Sequence, residues 1–221
     1  PACKKRLQPT EYTLCNTCLE LCQQQPTAYC PQCGHPHPAT TQANHLCSHC
    51  LTSPPPFTWL KAGGIYQGLL ADLLQQFKFN HKITLSAAFA QLILMQHSQA
   101  IATFCPDTIV PLPLHPQRLR ERGFNQAQLI ARELAATLDI PIDLDLLHRS
   151  KSTPPQSTLS LNQRHDNTRG AFHCTLSSPR RILLVDDIAT TTSTARACCH
   201  TLTRQGHVVA VLVAARAILH H

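Results

Sequence analysis

The 221-residue chain carries 19 Lys and Arg against 12 Asp and Glu, a formal net charge of +7, with 43% hydrophobic residues. Such length and apolar content exclude a disordered tail and suit one ordinary domain with a small appendage. The positive balance favours anionic partners such as nucleotides or nucleic acid, and with no apolar run of membrane-span length and no signal segment at its start the chain is expected in the cytoplasm.

Twelve cysteines in a small secreted chain would imply disulfides. Here eight of them lie in the first 50 residues, six as the C-x-x-C pairs Cys15/Cys18, Cys30/Cys33 and Cys47/Cys50, with Cys3 and Cys22 beside them. A C-x-x-C turn presents two thiolates to one ion, and two such turns complete a tetrahedral zinc site. Cys30, Cys33, Cys47 and Cys50 are expected to form one such structural site, with Gly34 admitting the tight turn. Cys15 and Cys18 need two further ligands. Cys3 stands at a suitable distance, Cys22 is the fallback, and a cysteine upstream of Pro1 would complete the set. His49, between two cysteines, could replace a thiolate, whereas His35, His37 and His45 read as loop residues. Closed four-thiolate coordination leaves no place for a substrate, so residues 1–52 are read as a structural or nucleic-acid-contacting module.

The Ser53-Pro-Pro-Pro-Phe57 stretch cannot continue a helix or a central strand, and residues 53–65 are read as a linker before a body of residues 66–221. Leu69, Leu70, Leu73, Leu74 and Phe77 recur at helical spacing, and a second helix is expected from Leu85 to about Gln96. Thr108 to Val110 then leads a short strand into a proline-bounded loop bearing Arg118, Arg120 and Arg122, followed by Gly123. Guanidinium forks suit phosphate oxygens, although a solvated basic helix start has the same composition. Ala127, Ile130, Leu134 and Leu138 make the next helical stripe.

Residues 148–176 are poor in apolar side chains and read as a long loop, either functional or disordered. The run Ile182-Leu183-Leu184-Val185 beyond it has the pattern of a strand buried on both faces of a parallel sheet. Asp186 and Asp187 stand at its carboxyl end, where open α/β sheets bind ligands. Thr190, Thr191, Thr192, Ser193 and Thr194 follow where a helix should begin. Paired carboxylates can accept from vicinal ribose hydroxyls, while hydroxyls and amide N–H groups take a phosphate. A Walker B strand or a plain N-cap would share this pattern, but no glycine in the chain precedes a lysine, so the accompanying phosphate loop is absent. A helix from Thr190 to Gln205, a C-cap at Gly206 and a strand from Val208 to Ala214 complete a parallel unit, with Cys198 and Cys199 as small buried residues.

The segment VDDIATTTST resembles the phosphoribosyl-pyrophosphate (PRPP) motif of type I phosphoribosyltransferases, and the chain as a whole resembles the ComF competence-protein family. VPLPLHP with RLRERGFNQ matches that family's arginine loop, and the resemblance implies that Arg118 and Arg122 receive pyrophosphate while Gly123 allows close backbone approach. It also implies a lid carrying Thr153, Gln156, Arg164 and Asn167, ahead of Gly170, Ala171 and Phe172. Tyr66 and Lys78-Phe79 match family positions too, and packing and surface charge are the roles expected of them here. Pro-Ala-Cys3 looks like a truncated C-P-A-C, and with a cysteine before Pro1 Cys3 would be the second half of a knuckle and the head would resemble the family's double zinc ribbon. One residue departs from the pattern. The family usually has Gly where this chain has Thr192, and a left-handed non-Gly residue costs about 1–2 kcal/mol, so a reshaped phosphate loop is expected.

The resulting expectation is a parallel-sheet α/β domain of the type I phosphoribosyltransferase kind with a small N-terminal zinc-ribbon module. Its implied role is handling incoming single-stranded DNA in natural transformation, with protein partners of DNA uptake and a pocket for PRPP and Mg2+. A PRPP-dependent transferase acting through Asp186 and Asp187 on an unidentified acceptor is the second reading. Aromatic residues make up only 5% of the chain, so base stacking is expected to be sparse.

Overall fold

The computed structural model describes residue 3, residues 14–38, residue 40, residues 43–150 and residues 170–218. Its centre is a four-stranded, all-parallel sheet in the order β1-β6-β5-β2, formed by β1 (Leu60–Ile65), β2 (Thr108–Pro111), β5 (Arg181–Ala189) and β6 (Val208–Arg216). A separate antiparallel pair joins β3 (Leu147–Arg149) to β4 (Phe172–Cys174). The helices are α1 (Asn16–Cys22), α2 (Ser48–Thr52), α3 (Gly68–Phe79), α4 (Leu85–Phe104), α5 (Pro116–Arg122), α6 (Gln126–Leu138) and α7 (Ser193–Thr203).

Alternation along the strands divides the core into two layers. Leu183, Val185, Ala210, Leu212 and Ala214 pack with α1, α3, α4 and α6 on one face. Ile182, Leu184, Val209, Val211 and Val213 pack with α7, Leu147 and Phe172 on the other. Burial on both faces is why β5 and β6 read as continuous apolar runs rather than alternating ones. Cys198 and Cys199 are fully buried in the second layer, as expected.

The head straddles the β1 edge of this sheet. Cys15, Cys18 and Cys22 belong to the first layer, whereas Cys30, Cys33 and Cys50 belong to the second. The amide of Leu60 donates to Gln32 O (2.8 Å) and that of Ile65 to Gln24 O (3.2 Å), so head backbone covers an edge that would otherwise be exposed. Glycine makes the approach possible. A Cβ at Gly64 would collide with the Cys22 carbonyl and the Leu70 side chain.

Several boundaries differ from the sequence reading. The expected linker, residues 53–65, ends in β1, whose two glycines and lysine hide a strand pattern that only the head's close approach explains. The helix expected to stop near Gln96 runs to Phe104. The arginine loop contains α5, started by Pro116 at its first turn with the His115 side chain accepting from Gln117 N, and closed by Gly123 at φ +76°. The last helix starts at Ser193 rather than Thr190, and β6 continues to Arg216. Among the described residues no helix is long and apolar enough to cross a membrane.

Candidate functional site

β5 carries Asp186 and Asp187 toward the carboxyl ends of the parallel strands, where they border a cavity of about 470 Å³. The Asp187 amide donates to Asp186 Oδ1 (2.8 Å), fixing the Asp186 carboxyl against its own strand. Burial, then the charge of Asp187, raises the Asp186 carboxyl to about 7. Lys78, on the last turn of α3, sets its Nζ 2.9 Å from Asp187 Oδ2.

The same cavity is lined by Arg118 and Arg122 from α5 and Arg149 from the end of β3. Burial lowers the pKa of Arg118, with Arg122 adding repulsion, and burial lowers that of Arg149. Gathering guanidinium groups at such a cost makes sense where an anion is to be received. Asn125 caps α6 through its Oδ1, which accepts from Ala127 N, while its Nδ2 donates to Leu112 O. The cap places Gln126 in the cavity wall at 2% exposure, with Nε2 lacking a hydrogen-bond partner. That nitrogen is shielded from solvent, and an unmade hydrogen bond of that kind costs about 1–3 kcal/mol.

The hydroxyl loop lies beside Asp186. Thr190 and Thr194 line the main cavity, and together with Asp186, Thr192 and Ser193 they also line a satellite space of about 20 Å³, room for one water-sized group. Thr191 Oγ1 lies 2.8 Å from Ser193 Oγ and accepts from Ser193 N (3.4 Å), so these groups satisfy one another. Thr192 has φ +63° and is 5% exposed, a left-handed β-branched residue where glycine would be unstrained.

Arg216, the last residue of β6, is 3% exposed and spoken for by carbonyls. Its Nη1 donates to Ala189 O, Thr190 O and Ala217 O, and its Nε to Cys33 O (3.2 Å). One guanidinium thus ties the hydroxyl loop to the cysteine turn of the head.

The sulfurs of Cys30, Cys33, Cys47 and Cys50 lie within 4.8 Å of one another, with Cys33 and Cys47 at 3.7 Å. Tetrahedral Zn–S bonds of about 2.3 Å would set sulfurs about 3.8 Å apart, so the four residues fit a metal ion. The turn is built for it. Gly34 at φ +64° lets its amide donate to Cys30 O while Cys30 N donates to His35 O. Cys3, Cys15 and Cys18 form a three-sulfur cluster, with Cys3 and Cys15 Sγ 3.4 Å apart. Among the described residues neither Cys22 nor His49 belongs to either cluster.

Most of the site residues expected from sequence converge, but not all act as expected. Gly123 does not line the cavity, and a Cβ there would meet nothing within 4 Å; its need for glycine is the positive φ that closes α5. Lys78 was expected only to supply surface charge, yet it pairs with Asp187 inside the cavity. Arg149 and Arg216 carried no sequence signal beyond residue type, and Gln126 was marked only as the end of the RLRERGFNQ match. Thr153, Gln156, Arg164 and Asn167 lie outside the described residues; the ends of their segment meet where Ser150 N donates to Ala171 O (3.0 Å).

No family model matches the chain. It is 32% identical over 208 residues to DNA utilization protein YhgH of Escherichia coli K12, covering 92% of this chain and 90% of the relative. Competence protein F of Haemophilus influenzae is 33% identical over 199 residues, covering 87% and 85%, and Competence protein ComFC of Streptococcus pneumoniae is 25% identical, covering 85% and 80%. Among solved structures, a purine phosphoribosyltransferase from Pyrococcus horikoshii aligns with 58% of this chain and 82% of its own at 12% identity and a TM-score of 0.36.

Proposed function

Since the chain belongs to the ComF family, which includes the YhgH and competence F proteins, we propose that it handles single-stranded DNA during DNA uptake and that its cavity binds a phosphoribosyl ligand, PRPP with Mg2+. One observation carries the ligand assignment: Asp186 and Asp187 line the same cavity as Arg118, Arg122 and Arg149. The carboxylates suit the ribose hydroxyls and a hydrated Mg2+; the guanidinium groups suit pyrophosphate oxygens. The hydroxyl loop Thr190–Thr194 is the place for the ribose phosphate once Thr191 and Ser193 release one another. Zinc in the four-cysteine site supplies rigidity to the head, and Arg216 passes that rigidity to the loop. Calorimetric titration with PRPP and Mg2+ tests the ligand assignment, and DNA binding at graded salt tests the role.

Asp186 favours a second reading, in which the cavity also catalyses transfer. A carboxyl raised to about 7 suits acid–base work at neutral pH. The acceptor nucleophile would bond to ribose C1 as the C1–O bond to pyrophosphate breaks, with the acceptor's proton passing to Asp186. Release of pyrophosphate on addition of candidate acceptors distinguishes the transferase from a binding pocket.

A further inference from the structure

A second cavity, of about 750 Å³, runs along the β1 edge between the head, β1 and α4, from Trp59, Phe104 and Arg181 near the amino ends of the strands to Ile65 and Arg216 at their carboxyl ends. Arg181, at its mouth, is five residues before Asp186 on β5, about 17 Å away along an extended strand. Cations and aromatic rings alternate along its wall. Lys61 Nζ lies 5.7 Å from the Trp59 ring centroid; Trp59 meets Phe104 edge-on at 5.6 Å; and Arg181 Cζ lies 4.7 Å from the Phe104 ring. Trp59 and Lys61 are half-buried, Phe104 is buried and Arg181 is exposed. Among the described residues no aspartate or glutamate lines the cavity; the nearest to Arg181 is Asp107, whose Oδ2 accepts from the Arg181 amide (2.7 Å).

We infer that this groove is the single-stranded DNA path, with a base stacked on Trp59 in place of Lys61 and the adjoining phosphates held by Lys61 and Arg181. Stacking needs an unpaired base, and a cleft of this size, walled by the head, admits single bases rather than a duplex. The absence of acidic lining matches a polyanion. Gln99, exposed on the rim, and Gln96, which already donates to Gly63 O, offer amides to base edges without fixing one sequence. The low aromatic content of the chain is thereby overcome, because folding brings its only tryptophan together with Phe104. The inference rests on the DNA-handling reading above and locates it away from the phosphoribosyl cavity.

Trp59 is the sole tryptophan, so its emission reports this groove alone. The full chain is titrated at low salt with a labelled oligothymidylate of about twelve residues, following oligonucleotide anisotropy and Trp59 emission together. Saturable quenching that tracks anisotropy is expected. Lys61→Gln should lower affinity several-fold and reduce the log–log salt slope by about 0.7, the contribution of one phosphate contact on a single strand. Trp59→Leu should lose about tenfold and Trp59→Phe much less, with thermal unfolding confirming that each variant is folded. Anisotropic binding with unchanged emission and unaffected Lys61→Gln would overturn the groove while leaving DNA handling intact. No binding by the wild type at low salt would remove both. Thymidine monophosphate quenching as well as the oligonucleotide at equal concentration would make the groove a nucleotide pocket instead.

Discussion

Lys78 Nζ and Asp187 Oδ2 stand 2.9 Å apart inside the cavity at the carboxyl end of β5, joining the last turn of α3 to that strand. The ammonium compensates an acid pair that burial would otherwise drive toward protonation, and it remains available to a ligand phosphate. Lys78→Gln should therefore weaken PRPP binding about tenfold, equivalent to about 1.4 kcal/mol, and Lys78→Arg should retain most of it. Calorimetry on both variants decides between this and a purely structural pair, for which Lys78→Gln would bind like the wild type.

Asp186 makes stability depend on pH. An unfolded Asp titrates near 3.9, whereas in the fold burial and Asp187 raise it to about 7. Between those values the folded state binds more protons than the unfolded chain, so this group's contribution is full below about pH 4 and is lost as pH rises through about 7. Asp186→Asn should be more stable than the wild type at about pH 8, by on the order of 1 kcal/mol or about 2–4 °C. The gap should close near pH 4. Thermal unfolding at both pH values checks the sign, and a variant less stable at pH 8 would show the carboxylate to be favourably placed.

Thr192→Gly relieves a left-handed residue worth about 1–2 kcal/mol, against about 0.5–1 kcal/mol of added chain entropy for glycine. A net gain of at most about 1.5 kcal/mol is expected, with tighter PRPP binding as the loop widens beyond its present one-water space. Denaturant melts and calorimetry measure the two effects. Weaker binding by the glycine variant would mean that the Thr192 hydroxyl itself holds the ligand.

Metal removal should reach the phosphoribosyl cavity through Arg216. Zinc bound by four thiolates contributes about 10–16 kcal/mol of apparent folding energy, and Arg216 joins Cys33 O to Thr190 O. Chelation, or Cys33→Ser, should raise hydrogen exchange in both the head and residues 189–192, and PRPP affinity should fall. Exchange confined to the head would show that the bridge transmits nothing. Elemental analysis of the reduced protein should find zinc.

Patterns that depend on near neighbours were legible in the sequence. The C-x-x-C spacing gave the four-sulfur cluster, and the apolar run before Asp186 gave a two-sided buried strand with its acids at the ligand end. Features created by distant chain segments were not. Lys78 reads as the polar face of a helix, because nothing near it in sequence reveals that α3 ends against β5. β1 contains Gly63, Gly64 and Lys61, poor strand signals whose value lies in letting the head approach. Arg216 follows an apolar strand and looks like its solvated end, yet it is buried because two sets of carbonyls converge on it.

The central claim is that the acid pair and the arginines lining the same cavity form a phosphoribosyl pocket. Its most direct test is calorimetric titration of the reduced, zinc-loaded chain with PRPP and Mg2+, alongside Asp186→Asn/Asp187→Asn and Arg118→Gln/Arg122→Gln. Saturable 1:1 binding by the wild type, reduced at least about tenfold, or 1.4 kcal/mol, in each double variant, is the result predicted. No heat from the wild type, or equal affinity in all three proteins, would contradict it.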